Sequence, residues 1–247
     1  MKPTETLLLL PGLDGTDVFF RPLMAVLPPT IRARTVCYPS GGTNSYEALL
    51  GPVRAAAKEA GPCWVLGSSF SGPLAVMLAA AHPEQVRGLI LAATFLRAPV
   101  ERVAVWRLLA VTPVVWLLRA ARRVPVWTLR GRGDPLRVAK AETWRRVGAR
   151  TLAARSRAAL GADVRSVYNA CPQQVLCIAF AADKVVPFSR AAEIVAGRPA
   201  AKLVVLPGGH LAMHTDPEPF RDAVAGFMAN NGEIVTPTGL DSSRSSP

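Results

Sequence analysis

Three side chains of this sequence, Ser69, Asp183 and His210, have the types needed for nucleophilic attack on a carbonyl carbon. A serine hydroxyl is a weak nucleophile near neutral pH, an imidazole can remove its proton, and a carboxylate can orient and stabilise the resulting imidazolium. Such a set forms a covalent acyl intermediate without a metal ion or an organic cofactor. The three residues are far apart in the chain, so the fold must bring them together.

Ser69 lies at a predicted sharp turn between a strand and a helix. The segment Cys63–Gly72, CWVLGSSFSG, begins as a short apolar run and ends in small residues, and an apolar helical stretch follows. The pattern G-x-S-x-G places a nucleophile at such a turn, and Gly67 fits its first position. Ser71 replaces the last glycine, which we interpret as a mild change because serine is small. Centring the pattern on Ser68 or on Ser71 fits less well, because neither choice has glycine at the first position.

Asp183 and His210 are each predicted to follow a strand directly. Asp183 comes after the apolar run Gln174–Phe180, and His210 comes after Leu203–Leu206 and a Pro-Gly-Gly turn. The carboxyl ends of parallel strands meet at one edge of a sheet, where ligands bind. We therefore expect Ser69, Asp183 and His210 to lie close together at that edge.

Other residues compete for the acid and base positions. His214 lies four residues beyond His210, but the chain has already turned away from the strand before His210, which favours His210. Asp163 and Asp216 are the other nearby acids, and neither follows a predicted strand directly.

Short apolar runs alternate with helical segments over most of the chain. This alternation predicts an α/β fold with right-handed crossovers and a mostly parallel sheet of about six strands flanked by helices. A chain of 247 residues, half of them hydrophobic, can bury one large core. The predicted strands are Thr6–Leu10, Arg32–Tyr38, the run beginning at Cys63, Val86–Ala93, Gln174–Phe180 and Leu203–Leu206. The predicted helices run from Thr16 or Asp17 to Leu27, over Tyr46–Ala60, up to Ala81, over Ser189–Val195 and over Pro217–Ala229.

The alternation stops between residues 97 and 170. Apolar, tryptophan-bearing stretches there are interrupted by arginines and prolines, which predicts an inserted group of amphipathic helices. The longest uncharged run in Val103–Leu118 is eleven residues, too short to span a bilayer. The α/β core would then comprise residues 1–96 and 171–229, and the polar tail 230–247 is predicted to be disordered.

The formal net charge of +12 resides in this insertion. Residues 97–157 contain fifteen lysines and arginines but three acids, and the rest of the chain is balanced. Such a basic block can attract an anionic substrate or an acidic membrane surface, or can simply be a solvated helical face. We do not expect a nucleic-acid partner, because the segment has no recognised binding motif.

Cysteine content and the start of the chain indicate the compartment. Four cysteines are present without a C-x-x-C pair, and Cys37, Cys63 and Cys177 lie in strand-like runs, so we expect buried free thiols. The apolar run in Met1–Gly12 is too short for a signal peptide and is interpreted as a first strand, which predicts a cytoplasmic protein.

Four segments together resemble the successive motifs of the α/β-hydrolase superfamily: LLPGLDGT from Leu9, GSSFSGPL from Gly67, DKVVP from Asp183, and the Gly-His pair at His210. The resemblance spans about residues 5–229, and it implies that the insertion 97–170 is the variable helical cap of the family, which would cover the site. It implies a Ser69, Asp183 and His210 triad and an oxyanion hole formed by the backbone N–H groups of Leu13 and Phe70. In the family the first loop commonly reads H-G-x-x-G, and here Pro11 replaces the histidine. Two early strands that are usual in the family have no counterpart.

These observations predict a serine hydrolase, similar to carboxylesterases, that acts on a small-molecule, hydrophobic acyl substrate through an acyl-enzyme. Thioesterase or acyltransferase activity with the same triad is an alternative, since the basic insertion would favour an anionic leaving group or a lipid surface. A non-catalytic binding protein on the same scaffold is a further alternative.

Overall fold

One parallel sheet organises the described part of the chain, which comprises residues 5–100, 113 and 135–230 of a computed structural model. The six strands of this part lie in the order β2-β1-β3-β4-β5-β6, and all neighbouring strands are parallel. The predicted α/β fold with about six strands is therefore confirmed. The strands are β1 (Glu5–Leu10), β2 (Ile31–Thr35), β3 (Cys63–Ser68), β4 (Val86–Ala92), β5 (Gln174–Phe180) and β6 (Lys202–Leu206).

Helices cover both faces of the sheet, which explains why the central strands are apolar at every position. In β1, Leu8 and Leu10 pack into one core layer, Leu7 and Leu9 pack into the other, and all four side chains are fully buried. The helices are α1 (Arg21–Val26), α2 (Tyr46–Ala60), α3 (Gly72–Ala81), α4 (Pro135–Arg146), α5 (Ala149–Gly161), α6 (Arg165–Ala170), α7 (Phe188–Gly197), α8 (Ala212–Thr215) and α9 (Pro217–Ala229).

The structure differs from the predicted elements at three places. The first helix is shorter than predicted, because a 3₁₀ turn over Val18–Phe20 precedes α1. Strand β2 ends at Thr35 instead of residue 38, because the Tyr38 N–H donates to Gly15 O in the loop after β1 and so leaves the ladder. Helix α8 was not predicted.

The ends of the predicted insertion lie side by side. Arg97 and Asp163 form an antiparallel bridge, and the N–H groups of Ala98 and Val164 donate to Ala162 O and Leu96 O. Helices α4, α5 and α6 belong to the described part of segment 97–170. Residues 101–112 and 114–134 of that segment and the predicted tail beyond residue 230 lie outside the described residues, so the cap boundaries and the disorder of the tail stay predictions.

The cysteines and the apolar character of the helices were also subjects of the sequence predictions. All four cysteines are free thiols; Cys63, Cys171 and Cys177 are buried, whereas Cys37 is exposed. The expectation of a buried Cys37 was wrong because the chain leaves β2 just before it. Within the described residues, no helix combines the length and the apolar character needed to cross a membrane.

Candidate active site

The turn after β3 holds Ser69 in a backbone conformation that non-glycine residues rarely adopt. Its φ is +51°, in the left-handed region, which strains the backbone. A Cβ on Gly67 would lie 2.6 Å from Ser71 O and 2.9 Å from the Cβ of Ala75, so only glycine fits there. The sharp bend leaves Ser69 half-buried at the carboxyl edge of the sheet, one short turn before α3.

The structure brings the three predicted side chains into one hydrogen-bonded chain. His210 Nε2 lies 2.9 Å from Ser69 Oγ, and His210 Nδ1 lies 2.8 Å from Asp183 Oδ2. When the proton is on Nδ1, that N–H donates a hydrogen bond to the carboxylate, and Nε2 is free to accept one from the serine hydroxyl. The geometry is therefore that of a nucleophile, a base and an orienting acid.

Asp183 is held as a carboxylate. Its side chain is 5% exposed, and burial by itself raises the pKa of the carboxyl group. Two sets of interactions outweigh this effect. One is the hydrogen bond and charge of His210, and the other is the donation to Oδ1 by the backbone N–H groups of Val185 at 2.7 Å and Val186 at 3.0 Å. The resulting pKa lies below the ordinary value, so Asp183 is ionised at neutral pH.

The peptide unit between Ser69 and Phe70 is fixed from its carbonyl side. Ser69 O accepts hydrogen bonds from the Gly72 N–H and from the hydroxyl of Thr94, which is buried. In a trans peptide the N–H points opposite to the C=O, so these bonds also set the direction of the Phe70 N–H. Tyr46 adds a stacked contact with the Phe70 ring and donates its hydroxyl to Phe70 O at 2.8 Å.

The turn after β1 lies against Ser69. A Cβ on Gly12 would be 3.7 Å from the Cβ of Ser69, and the Gly15 N–H donates to Gly12 O at 3.0 Å to close the turn. The Leu13 N–H belongs to the same peptide unit as the Gly12 C=O, so the turn fixes its direction as well. Both predicted oxyanion donors, Leu13 and Phe70, thus follow strands that end beside Ser69.

The two departures from the family pattern, Pro11 and Ser71, contact each other. Ser71 is fully buried, and its hydroxyl donates to Pro11 O while accepting from the Tyr38 hydroxyl at 2.6 Å. Sequence reasoning treated Ser71 only as a small residue and missed Tyr38 and Thr94. The signal that could have found this contact is that a hydroxyl replaces glycine at a buried position.

The competing residues have other surroundings. His214 is buried on α8, where its ring lies edge-on to Phe19, and its ring nitrogens bind no atom of the described residues. Asp163 forms an ion pair with Arg165 at 2.6 Å, and Asp216 is exposed. The structure thus places His210, and not His214, beside Ser69.

A parallel sheet flanked by helices, with a sharp turn between its third strand and the next helix, is the architecture of the α/β-hydrolase class. The sequence also matches the profile of the alpha/beta hydrolase family over residues 7–223. The chain belongs to this family, and the resemblance expected from its motifs is confirmed.

Solved structures with the same fold include several hydrolases. A hydrolase from Pseudomonas aeruginosa PA01 superposes with a TM-score of 0.75 at 22% identity, covering 91% of this chain and 90% of that one. The enol-lactonase from Burkholderia xenovorans LB400 gives 0.76 at 20% identity, covering 92% of each chain. A structure from work on carboxylesterases of Nitrososphaera gargenis gives 0.70 at 20% identity, covering 95% and 93%. At these identities the likeness shows the fold alone.

Proposed function

We propose that this protein is a serine hydrolase that cleaves carboxylic esters through a covalent acyl-enzyme. The observation that carries the proposal is the position of His210, whose two ring nitrogens lie 2.9 Å from Ser69 Oγ and 2.8 Å from Asp183 Oδ2. The first distance allows a hydrogen bond between the proposed nucleophile and its base, and the second allows one between the base and the residue that orients it.

In the proposed reaction, Ser69 Oγ attacks the ester carbonyl carbon while its proton passes to His210 Nε2. The carbonyl oxygen becomes an oxyanion that accepts hydrogen bonds from the Leu13 and Phe70 N–H groups. Collapse of this intermediate breaks the bond to the alcohol, which leaves with the proton from His210. Water then attacks the acyl-enzyme with His210 as base, and the carboxylic acid is released. Asp183 keeps its charge and stabilises the imidazolium throughout.

The same site and the fold relatives support the choice of substrate class. These relatives include an enol-lactonase and a structure from work on carboxylesterases, and both enzyme names denote cleavage of an acyl–oxygen bond. We propose a hydrophobic acyl group of small or medium size. The basic segment 97–157 keeps an anionic leaving group, as in thioester cleavage, among the substrates to be tested.

Labelling with a fluorophosphonate probe tests the nucleophile. We expect the wild-type protein and a Ser68→Ala control to be labelled, and Ser69→Ala to remain unlabelled. In turnover of nitrophenyl esters of graded length, Ser69→Ala and His210→Ala should lose roughly 10⁵ to 10⁶-fold and Asp183→Ala about 10⁴-fold. Labelling of Ser69→Ala, or loss of activity in His214→Ala with retention in His210→Ala, would contradict the assignment.

Product analysis separates hydrolysis from acyl transfer. With an added alcohol acceptor, a hydrolase yields mainly free acid, whereas an acyltransferase yields mainly the new ester. A dominant ester product would replace the proposed hydrolase by an acyltransferase that uses the same triad.

A further inference from the structure

Arg155 is a buried cation that the proposed reaction does not use. It lies on α5, in the segment predicted to cover the site, and its side chain is 1% exposed. One helical turn earlier, the Thr151 hydroxyl donates to Ser40 O at 2.5 Å. The face of α5 that carries both residues therefore packs on the loops that follow β1 and β2.

The guanidinium of Arg155 donates to four neutral oxygens. Nε reaches Asn44 Oδ1 at 2.8 Å, and Nη2 reaches Pro39 O at 3.0 Å. Nη1 binds two successive carbonyls, Leu13 O at 3.0 Å and Asp14 O at 2.7 Å. The planar fork of arginine fixes all four directions at once, which a lysine ammonium does not do.

The two carbonyls bound by Nη1 are those of the central residues of the turn Gly12–Gly15. This is the turn that sets the direction of the Leu13 N–H. Gly15 has φ +67°, and a Cβ there would lie 2.3 Å from Arg155 Nη1. The turn and the guanidinium thus fit against each other without space for a side chain between them.

We propose that Arg155 is a positioning residue for the oxyanion hole. By holding the Leu13 and Asp14 carbonyls, it keeps the Leu13 N–H aimed at the position that the substrate oxyanion occupies. The inference rests on the proposed function, in which Leu13 supplies one of the two donors. The Arg155 side chain thus ties α5 to the turn that carries the Leu13 N–H.

The test compares Arg155→Met and Arg155→Lys with two variants on the same helix. Arg150→Met removes an exposed arginine, and Thr151→Val removes a docking hydrogen bond without touching the turn. Each variant is assayed for kcat and KM on a nitrophenyl ester. Each is also titrated with a ¹³C-labelled trifluoromethyl ketone, which adds to a serine nucleophile and forms a hemiketal whose oxyanion occupies the hole.

A misaligned donor weakens binding of the oxyanion more than binding of the substrate. We expect kcat of Arg155→Met to fall roughly 10- to 100-fold with KM nearly unchanged, since loss of one such donor costs about 10² to 10³-fold. The pKa of the hemiketal should rise by about 1 to 2, because a tenfold loss of anion stabilisation corresponds to one pKa unit. Arg155→Lys should lie between Arg155→Met and wild type. Arg150→Met should match wild type, and Thr151→Val should lower only the unfolding temperature.

A lower unfolding temperature of Arg155→Met with an unchanged hemiketal pKa would show a merely structural role and overturn the proposal. If Arg155→Met fails to fold, the test uses Arg155→Lys and Gly15→Ala instead. A raised hemiketal pKa in these variants supports the proposal, and a wild-type hemiketal pKa in both overturns it. Failure of the proposed function looks different, since the ketone would then form no hemiketal with the wild type, or would still form one with Ser69→Ala.

Discussion

Replacing Ser71 by alanine removes a buried hydroxyl that joins three parts of the site. That hydroxyl donates to Pro11 O, at the start of the turn that carries Leu13, and accepts from the Tyr38 hydroxyl at 2.6 Å. Ser71 is fully buried and Tyr38 is 7% exposed, so water does not readily replace the lost partner. The substitution therefore leaves one acceptor and one donor unsatisfied.

The cost follows from the number of groups left without a partner. Each unsatisfied buried group costs about 1 to 3 kcal/mol, so Ser71→Ala should lower the free energy of unfolding by about 3 kcal/mol. For a chain of this length that corresponds to a fall of roughly 6 to 12 °C in the unfolding temperature. Tyr38→Phe loses one hydrogen bond and leaves Pro11 O satisfied, so it should cost about 1 kcal/mol.

A double-mutant cycle measured by urea unfolding checks this reasoning. In the Ser71→Ala, Tyr38→Phe double variant only Pro11 O lacks a partner, so the double should cost about 2 kcal/mol less than the sum of the singles, within the range found for directly bonded pairs. Tyr168→Phe combined with Ser71→Ala is the matched control for Tyr38→Phe. The buried Tyr168 hydroxyl donates to a different carbonyl, Ile194 O, at 3.0 Å, so these two costs should add. Additive costs for Ser71 and Tyr38 would refute the hydrogen-bond chain.

Two further predictions concern stability. Gly67→Ala should destabilise the protein strongly, because the new Cβ would lie 2.6 Å from Ser71 O. Gly226 is exposed inside α9 with open space around it, so Gly226→Ala should stabilise the protein by about 0.5 to 1 kcal/mol. Urea unfolding measures both changes. Burial raises the pKa of Asp14 above its ordinary value of 3.8 despite hydrogen bonds from Thr16. Stability contributed by Asp14 is thus complete below about pH 4 and is lost as the pH rises through the higher folded-state pKa. Asp14→Asn should therefore raise the unfolding temperature at pH 7 and make little difference near pH 4, and an equal gain at both values would contradict this.

The succession of strands and helices along the chain and the convergence of Ser69, Asp183 and His210 at one sheet edge could be predicted from the sequence, because each of these residues follows an apolar run. The order of the strands within the sheet was not predicted. Helix boundaries were predicted well where local signals mark them. Helix α2 starts after Ser45, whose side chain accepts from the Ala48 N–H, and ends before Gly61 at φ +70°. The short helix α8 and the 3₁₀ turn before α1 have no comparable signals.

The contacts that hold the turn after β1 could not be predicted from sequence patterns. Arg155 was counted in the basic excess of residues 97–157, which was interpreted either as a surface that attracts anions or as a solvated helical face. Both interpretations place its side chain on the surface. Its burial is explained by backbone carbonyl oxygens, which every residue type offers, so no pattern of residue types marks them. The link between Ser71 and Pro11 likewise joins segments 60 residues apart.

The two halves of the proposed oxyanion hole depend on different parts of the fold. Ser69 O, which sets the Phe70 N–H, is bound by Gly72 and Thr94, and both belong to the sheet and helix core. The Leu13 side is bound by Arg155, which arrives from α5 in the segment predicted to be the cap. Replacement of Arg155 should therefore disturb one donor while the Ser69 and His210 pair stays assembled. Because the nucleophile and the base do not depend on α5, such variants should still react with a fluorophosphonate while their ester turnover falls.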